Sequence, residues 1–413
     1  MNSQPAALPV TAISPVDAPA TIDTTGQPER LNRKIIGLLS LSHASVDLNP
    51  SALAALLPFF YVAFHLTYTT AALLTATSQI TSSISQLAFG YVSDRTSLRW
   101  LIPLGCMLSG LGLALTSLAP NYPLLLVAIS ISGLGIAAFH PEAARSANRF
   151  AGQNRATGMS IFSVGGNAGF AGGPLAVALL GASVLHGGTL LFLVPSLLVT
   201  AAIWLPLRAM PSGRAAARAG QGVALLHPRV GLAVVVLTLV TILRSIVQVT
   251  LLTFVPLYEV TALGRPQAVA SSLLTTFLAA GAAGTLLSGV AADRWGRKRV
   301  VIISFFAGAP LLWLFMHSDG LLSYVALGGV GLALLSTFAV TIVMAQELLP
   351  HRAGMAAALV IGFASGVGGA AVGLLGRVAD TFGPGVVLSL LAVFPLLAAL
   401  LSCWLIEPGR GEG

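Results

Sequence analysis

Gly90-Tyr-Val-Ser-Asp94-Arg95-Thr-Ser-Leu-Arg99 and, about 200 residues later, Gly289-Val-Ala-Ala-Asp293-Arg294-Trp-Gly-Arg297-Lys298-Arg299 decide the fold. Each closes an apolar run with a glycine, an Asp-Arg pair and further basic charge, the pattern of a helix leaving a membrane into a tight charged turn. Two other pairs keep the same offset. Pro58-Phe-Phe matches Pro256-Leu-Tyr, and Gly158-Met-Ser matches Gly354-Met-Ala. The chain therefore reads as a doubled membrane bundle, and an internal duplication on this scale is the pattern of a carrier whose halves move against each other around a central site.

Composition agrees. Of 413 residues, 56% are hydrophobic and only 8% charged, against about a quarter charged in soluble domains. The net charge of +8 would suggest nucleic acid in a soluble protein, but here the basic residues punctuate apolar segments, which fits membrane topology and no nucleic-acid partner. Cys106 and Cys403 both lie in apolar stretches, where a thiol behaves as a small hydrophobe, so no disulfide is expected.

Apolar segments of about 20 residues suffice for a hydrocarbon core of about 30 Å at about 1.5 Å per residue. They fall near 35–61, 70–92, 100–119, 123–143, 156–182, 188–207, 230–258, 268–292, 299–317, 321–346, 353–378 and 384–406. The expected fold is all-α and integral to the membrane: twelve transmembrane helices in two pseudo-symmetric six-helix bundles. The expected divisions are a disordered cytoplasmic tail over 1–30, an N-terminal bundle over 31–207, a cytoplasmic linker over 208–229, a C-terminal bundle over 230–406 and a short cytoplasmic tail over 407–413. With the N-terminus inside, nearly all Lys and Arg fall in cytoplasmic loops. Only Arg265 and Arg377 remain outside, and Arg244 lies within a span. Both termini are expected to be cytoplasmic.

The repeated Gly-x-x-x-Asp-Arg turn resembles the helix 2–3 and 8–9 signature of the major facilitator superfamily, over residues 33–406. Gly169-Phe-Ala-Gly-Gly173-Pro174 is similar to the helix 5 motif of the superfamily's antiporters. The runs Phe139-His140-Pro141-Glu142-Ala-Ala-Arg145 and Ser160-Ile-Phe-Ser-Val-Gly165-Gly166-Asn167-Ala-Gly169, with Ser42-His43 and Asp47, resemble the fosmidomycin resistance branch. That resemblance implies a proton-coupled antiporter of a bacterial inner membrane, exporting a small drug-like or anionic compound of the phosphonate class. One departure stands out. Where drug antiporters commonly carry an Arg in helix 4, this chain reads Ala128-Ile129-Ser-Ile-Ser-Gly133, so the proton route assigned to that Arg does not transfer.

Charged groups inside a bilayer cost about 2.5–3.5 kcal/mol each even on lenient scales, so each calls for a reason. His43 and Asp47, four residues apart, share one face of the first helix. Counted from Arg33 they lie roughly 15 and 21 Å deep. Arg244 is the one basic residue inside a span, and an offset of about 197 residues carries Asp47 onto it. Two readings of this pair stay open: a structural ion pair, or a proton-sensitive switch in which protonation of Asp47 releases Arg244 for an anionic substrate. His43 and His140 are suited to relay a proton. Glu142 joins them as a coupling residue or, alternatively, pairs with loop arginines. Gln248, Asn167 and Gln79 are expected to line the substrate cavity beside Arg244. Asp94, Arg95, Asp293, Arg294 and Glu347 are expected to gate it, with Glu347 paired to a loop arginine such as Arg352.

No Walker loop and no Cys/His cluster of metal spacing is present, which leaves an ATP-driven pump, a metalloenzyme or any resident cofactor unsupported. The expected partners are protons, a small-molecule substrate and the lipid bilayer, with the monomer as functional unit. A proton symporter or facilitator for a small organic anion is the alternative within transport. A non-transporting membrane sensor would need an output domain that the tails are too short to supply.

Overall fold

The computed structural model describes residues 31–95, 98–208, 228–349, 356 and 358–406. The expectations for the two tails, for Gly354 and Arg352, and for nearly all of the linker lie outside these residues. In chain order the helices are α1 (Arg33–Ala63), α2 (Tyr68–Arg95), α3 (Leu101–Ala114), α4 (Tyr122–Phe150), α5 (Arg155–Leu180), α6 (Leu193–Arg208), α7 (Pro228–Leu257), α8 (Gln267–Trp295), α9 (Arg297–Met316), α10 (Leu321–Leu348), α11 (Ala364–Phe382), α12 (Pro384–Leu390) and α13 (Val393–Ser402). The last two together make one span, so twelve spans form two helix bundles, and the described residues contain no sheet.

Eleven of the spans are long and apolar enough to cross a membrane. The twelfth, α2, is 28 residues long but rich in Thr, Ser and Gln. Its position explains the composition: α2 packs lengthwise against α11 of the other half, and that face need not dissolve in lipid. Elsewhere the outward faces are apolar, as at Leu205, Ile303 and Phe306, which suits side chains that meet lipid tails.

Local signals set the helix ends. Asn32 caps α1 by accepting from Ile35 N–H at 3.1 Å, and Asn121 caps α4 by accepting from Leu124 N–H at 3.0 Å. Between α8 and α9 the chain turns on Gly296 at φ +92°, a conformation that an L side chain rarely adopts. We call the face bearing Arg33, Arg208 and Arg297 the basic face, and the face bearing the α1–α2 and α7–α8 turns the opposite face.

Glycines set the helix spacing. On α5, Gly165, Gly169 and Gly173 press on the backbone of α1 at Ser40, Ala44 and Leu48. On α11, Gly366, Gly369 and Gly376 meet Ser83, Gln79 and Thr69 of α2. A buried polar seam ties α1 to α3 and α4: Asn49 Nδ2 donates to Ser109 Oγ at 2.9 Å, and Ser132 Oγ donates to the Ser109 carbonyl at 2.9 Å. Such bonds hold helices together where lipid supplies no hydrophobic drive.

A methyl group on Gly169 would lie 2.0 Å from the Ala44 carbonyl oxygen, whereas Gly172 on the same helix faces open space. Gly169→Val is therefore expected to destabilise the purified protein by more than about 2 kcal/mol, or to prevent its accumulation. Gly172→Ala should be neutral or gain about 0.5–1 kcal/mol from helix propensity. Thermal unfolding followed by size-exclusion fluorescence checks both, and equal stability of the two variants would contradict this packing.

Candidate functional site

Helical spacing sets His43 one turn before Asp47 on α1, and the ring Nε2 lies 3.1 Å from Asp47 Oδ2. From α4, His140 brings its own Nε2 to 3.1 Å from the other oxygen, Asp47 Oδ1. The carboxylate is thus gripped on both sides, and the polar atoms of the three side chains lie within 4.8 Å of one another. Aromatic rings wall the group. Phe162 of α5 stacks on His43 with centroids 4.1 Å apart, and Phe139 stands 5.8 Å away. Gly166 of α5 leaves the space: a Cβ there would sit 2.5 Å from His43 Cε1 and 2.8 Å from Asp47 Oδ2. The side chains keep 12% (His43), 18% (Asp47) and 25% (His140) of their surface exposed, so the group is largely but not wholly enclosed.

The other ring nitrogens decide the electrostatics. His43 Nδ1 lies 2.9 Å from the Phe162 carbonyl oxygen, and His140 Nδ1 lies 2.8 Å from the Ile136 carbonyl oxygen. A carbonyl only accepts, so each Nδ1 must carry the hydrogen. A neutral imidazole built this way has a bare lone pair at Nε2, and here that lone pair points at a carboxylate oxygen. Two acceptors at 3.1 Å repel unless a proton lies between them. With both gaps filled the group is two imidazoliums around one carboxylate, carrying one net positive charge; with both empty it carries one net negative charge.

The expected pair of Asp47 with Arg244 is not made. Both oxygens of Asp47 are engaged by histidines of its own half, whereas Arg244 on α7 donates from Nη1 to Gln248 Oε1 at 3.0 Å. Its guanidinium carbon lies 4.9 Å above the ring of Phe338 on α10. Arg244 is 2% exposed, its Nε makes no hydrogen bond, and among the described residues no carboxylate comes within ion-pair distance. Repeat symmetry gives two residues equivalent depth in opposite halves, which does not bring them into contact.

The remaining expected residues scatter. Glu142 is buried with Arg145 Nη1 at 3.9 Å, and as the second residue beyond His140 it faces away from the histidines. It belongs to the arginine cluster at the basic face. There burial and the neighbouring Arg149 hold Arg99 below the ordinary arginine value, while Glu142 pulls the other way. Glu347 pairs with Arg297, the trailing residue of the second charged turn. Asp293 and Arg294 are exposed and join none of the ion pairs found among the described residues. The side chains of Asp94 and Arg95 lie outside the described residues. Gln79 faces Gly369 across the seam between halves, and Asn167 is half-buried beside Gly166. Sequence reading assigned no role to the Phe162 carbonyl, Gly166 or Phe338. The first two stand inside the motif that holds Asn167, but nothing in a linear sequence marks a carbonyl as a histidine's partner.

Residues 39–270 and 237–412 each match the profile of the Major Facilitator Superfamily. Over 374 residues the chain is 32% identical to the fosmidomycin resistance protein of Escherichia coli (strain K12), covering 89% of this chain and 91% of that protein. It is 30% identical over 394 residues to the uncharacterized MFS-type transporter YfnC of Bacillus subtilis (strain 168), covering 93% and 96%. A bacterial homolog of the human lysosomal transporter Spinster, solved inward-facing and occupied, shares the fold with a TM-score of 0.75 at 15% identity, covering 89% of this chain and 95% of that one. The chain belongs to the Major Facilitator Superfamily. It is a multi-pass bacterial membrane protein and a secondary active transporter of a small molecule by alternating access, not an enzyme.

The two carbonyl contacts set a spectroscopic expectation. In protein labelled with ¹⁵N-histidine, the neutral rings of His43 and His140 should both carry the hydrogen on Nδ1, and acidification should move chiefly the Nε2 resonances. Single His→Gln variants assign the signals. Neutral rings protonated at Nε2 would contradict this geometry.

Proposed function

We propose that this superfamily member couples proton movement to passage of a small organic anion, with His43, Asp47 and His140 as the proton site and Arg244 as the anion site. The observation that carries the reading is the pair of Nδ1–carbonyl contacts, which leaves each Nε2–Asp47 gap in need of a proton. Filling and emptying both gaps changes the local charge by two units. For an anion roughly 10 Å away at an effective dielectric of about 20, that is about 3 kcal/mol, on the order of a hundredfold in affinity. A change of that size is enough to couple proton and substrate occupancy.

Arg244 supports the anion side of the reading. A guanidinium in a membrane interior without a carboxylate partner is costly, and a substrate phosphonate or carboxylate would supply the missing charge in bidentate geometry. Gln248 holds Nη1 in place and Phe338 backs the guanidinium plane. The proton group and Arg244 sit in different halves and do not compete for each other. Proton and anion can therefore be carried together, which favours symport or facilitated passage over exchange through a shared ion pair. Export by proton exchange is the second reading. It is favoured by the fosmidomycin resistance protein of E. coli, and phosphonates are the substrates to try first. In either reading the basic face is cytoplasmic, both termini lie on the cytoplasmic side of the bacterial inner membrane, and the carrier acts as a monomer.

Proteoliposomes with imposed pH gradients test the whole reading with phosphonates and small carboxylates as solutes. The anion should accumulate only with a gradient, and the gradient's sign separates symport from exchange. Asp47→Asn keeps the shape but not the charge, so uphill accumulation should fall at least tenfold while anion binding persists; undiminished uphill transport would remove Asp47 from the coupling step. For Arg244→Ala, anion binding should weaken by at least tenfold, with Arg244→Lys intermediate because it keeps the charge and loses the fork. Wild-type affinity in folded Arg244→Ala would leave Arg244 a structural residue.

A further inference from the structure

The two halves touch along α2–α11 and α5–α8, and one set of polar contacts between them gathers toward the opposite face. Asp380, near the C-terminus of α11, reaches across to the first turn of α2. Its Oδ1 accepts from Tyr68 N–H at 2.6 Å, and its Oδ2 accepts from Thr69 N–H at 3.2 Å and from the Thr69 hydroxyl. Beside it the Tyr68 hydroxyl bonds Thr261 Oγ1 at 2.9 Å, joining α2 to the turn after α7. Gln267 Nε2, at the start of α8, donates to the Ala55 carbonyl of α1 at 2.6 Å. All these bonds run between halves and all lie toward the opposite face. The seam between α2 and the chain leading through α11 is also close-packed at that end. A Cβ on Gly376 would come within 2.6 Å of Thr69 Cα, while one on Gly362 would find its nearest neighbour, Leu87, only at 3.9 Å.

We propose that Asp380 is the lock of the gate at the opposite face, a carboxylate that caps α2 from the other half and must let go before the carrier can open there. Tyr68–Thr261 and Gln267–Ala55 complete the seal. The cap is built to be released. The first turn of a helix leaves backbone N–H groups without intrahelical partners, and α2 has a cap of its own, since Thr67 Oγ1 accepts from Thr70 N–H at 3.2 Å and Thr70 Oγ1 accepts from Thr67 N–H at 2.9 Å. Thr67 thus keeps α2 wound whether or not Asp380 is present. Asp380 takes the N–H groups of Tyr68 and Thr69 and the Thr69 hydroxyl, and its position is exposed, so water can replace it when the halves part. A negative charge at a helix N-terminus is also favoured by the helix dipole, which makes the lock specific for a carboxylate. This proposal depends on the contacts between halves and not on the proton or anion sites. If the basic face is cytoplasmic, the lock is extracellular.

Spin labels on Leu118→Cys and Leu321→Cys, exposed positions on different halves near the opposite face, report its opening by pulsed electron resonance in a Cys403→Ser background. The unmodified seal should give a dominant short distance. Asp380→Ala should shift at least a third of the population to a distance longer by about 5 Å or more, a hinge opening of ordinary size. Asp380→Asn, which keeps the shape and one acceptor, and Thr261→Val, which cuts the second bond, should shift it less. These two milder variants carry the test if Asp380→Ala does not fold. A distance distribution unchanged in every variant that folds would overturn the lock. A cross-link between Thr69→Cys and Asp380→Cys should stop transport and release it on reduction; transport at full rate with the cross-link formed would equally overturn it.

Discussion

A carboxylate flanked by two imidazole nitrogens whose hydrogens have been claimed elsewhere is the constraint around which this carrier is built. The Phe162 and Ile136 carbonyls fix the far side of each ring, so the near side must borrow its hydrogen. In water such a group would simply rotate away. Here Phe162 stacked on His43, the bare Gly166 backbone and the helix crossing of α1, α4 and α5 hold it in place, and the protonation state becomes a structural variable. In the proposed cycle, proton occupancy decides whether three helices of one half attract or repel one another at a single point.

The glycines of α5 make that point sensitive. Because Gly165, Gly169 and Gly173 lie directly on the α1 backbone, α1 and α5 move as neighbours without a cushion of side chains. Any change in the grip on Asp47 is felt by α5, which packs on α8 of the other half. Arg244, buried against Phe338, is the complementary feature of that half. In the proposed cycle one half holds an adjustable charge and the other a fixed one, and a mobile anion would bridge them.

Much of this was legible in the sequence, and the failures have physical causes. The duplicated turns and apolar segments gave away the twelve spans, because the bilayer imposes one length and one composition on nearly every helix. The exception, α2, shows its Thr, Ser and Gln in the sequence, but the reason for them shows only when α2 is seen packed against α11. The His43–Asp47 contact followed from spacing along one helix. His140 was marked by its motif, but its contact with the second carboxylate oxygen depends on the crossing of α1 and α4, which no spacing encodes. Arg244 was mispaired because symmetry predicts depth and not contact. The Asp380 lock was invisible for the plainest reason: its partners lie more than 300 positions away, and most of them are backbone N–H groups, which nearly every residue carries.

Anion binding measured by titration calorimetry in buffers of different ionisation enthalpy is the most direct test of the charge-adjustable proton group. If His43, Asp47 and His140 take up protons as an anion settles near Arg244, the apparent enthalpy between pH 6 and 8 will vary with the buffer and report an uptake of about one to two protons per anion. That dependence will vanish in His43→Gln/His140→Gln while binding survives. A wild-type enthalpy independent of buffer across that range would contradict the account.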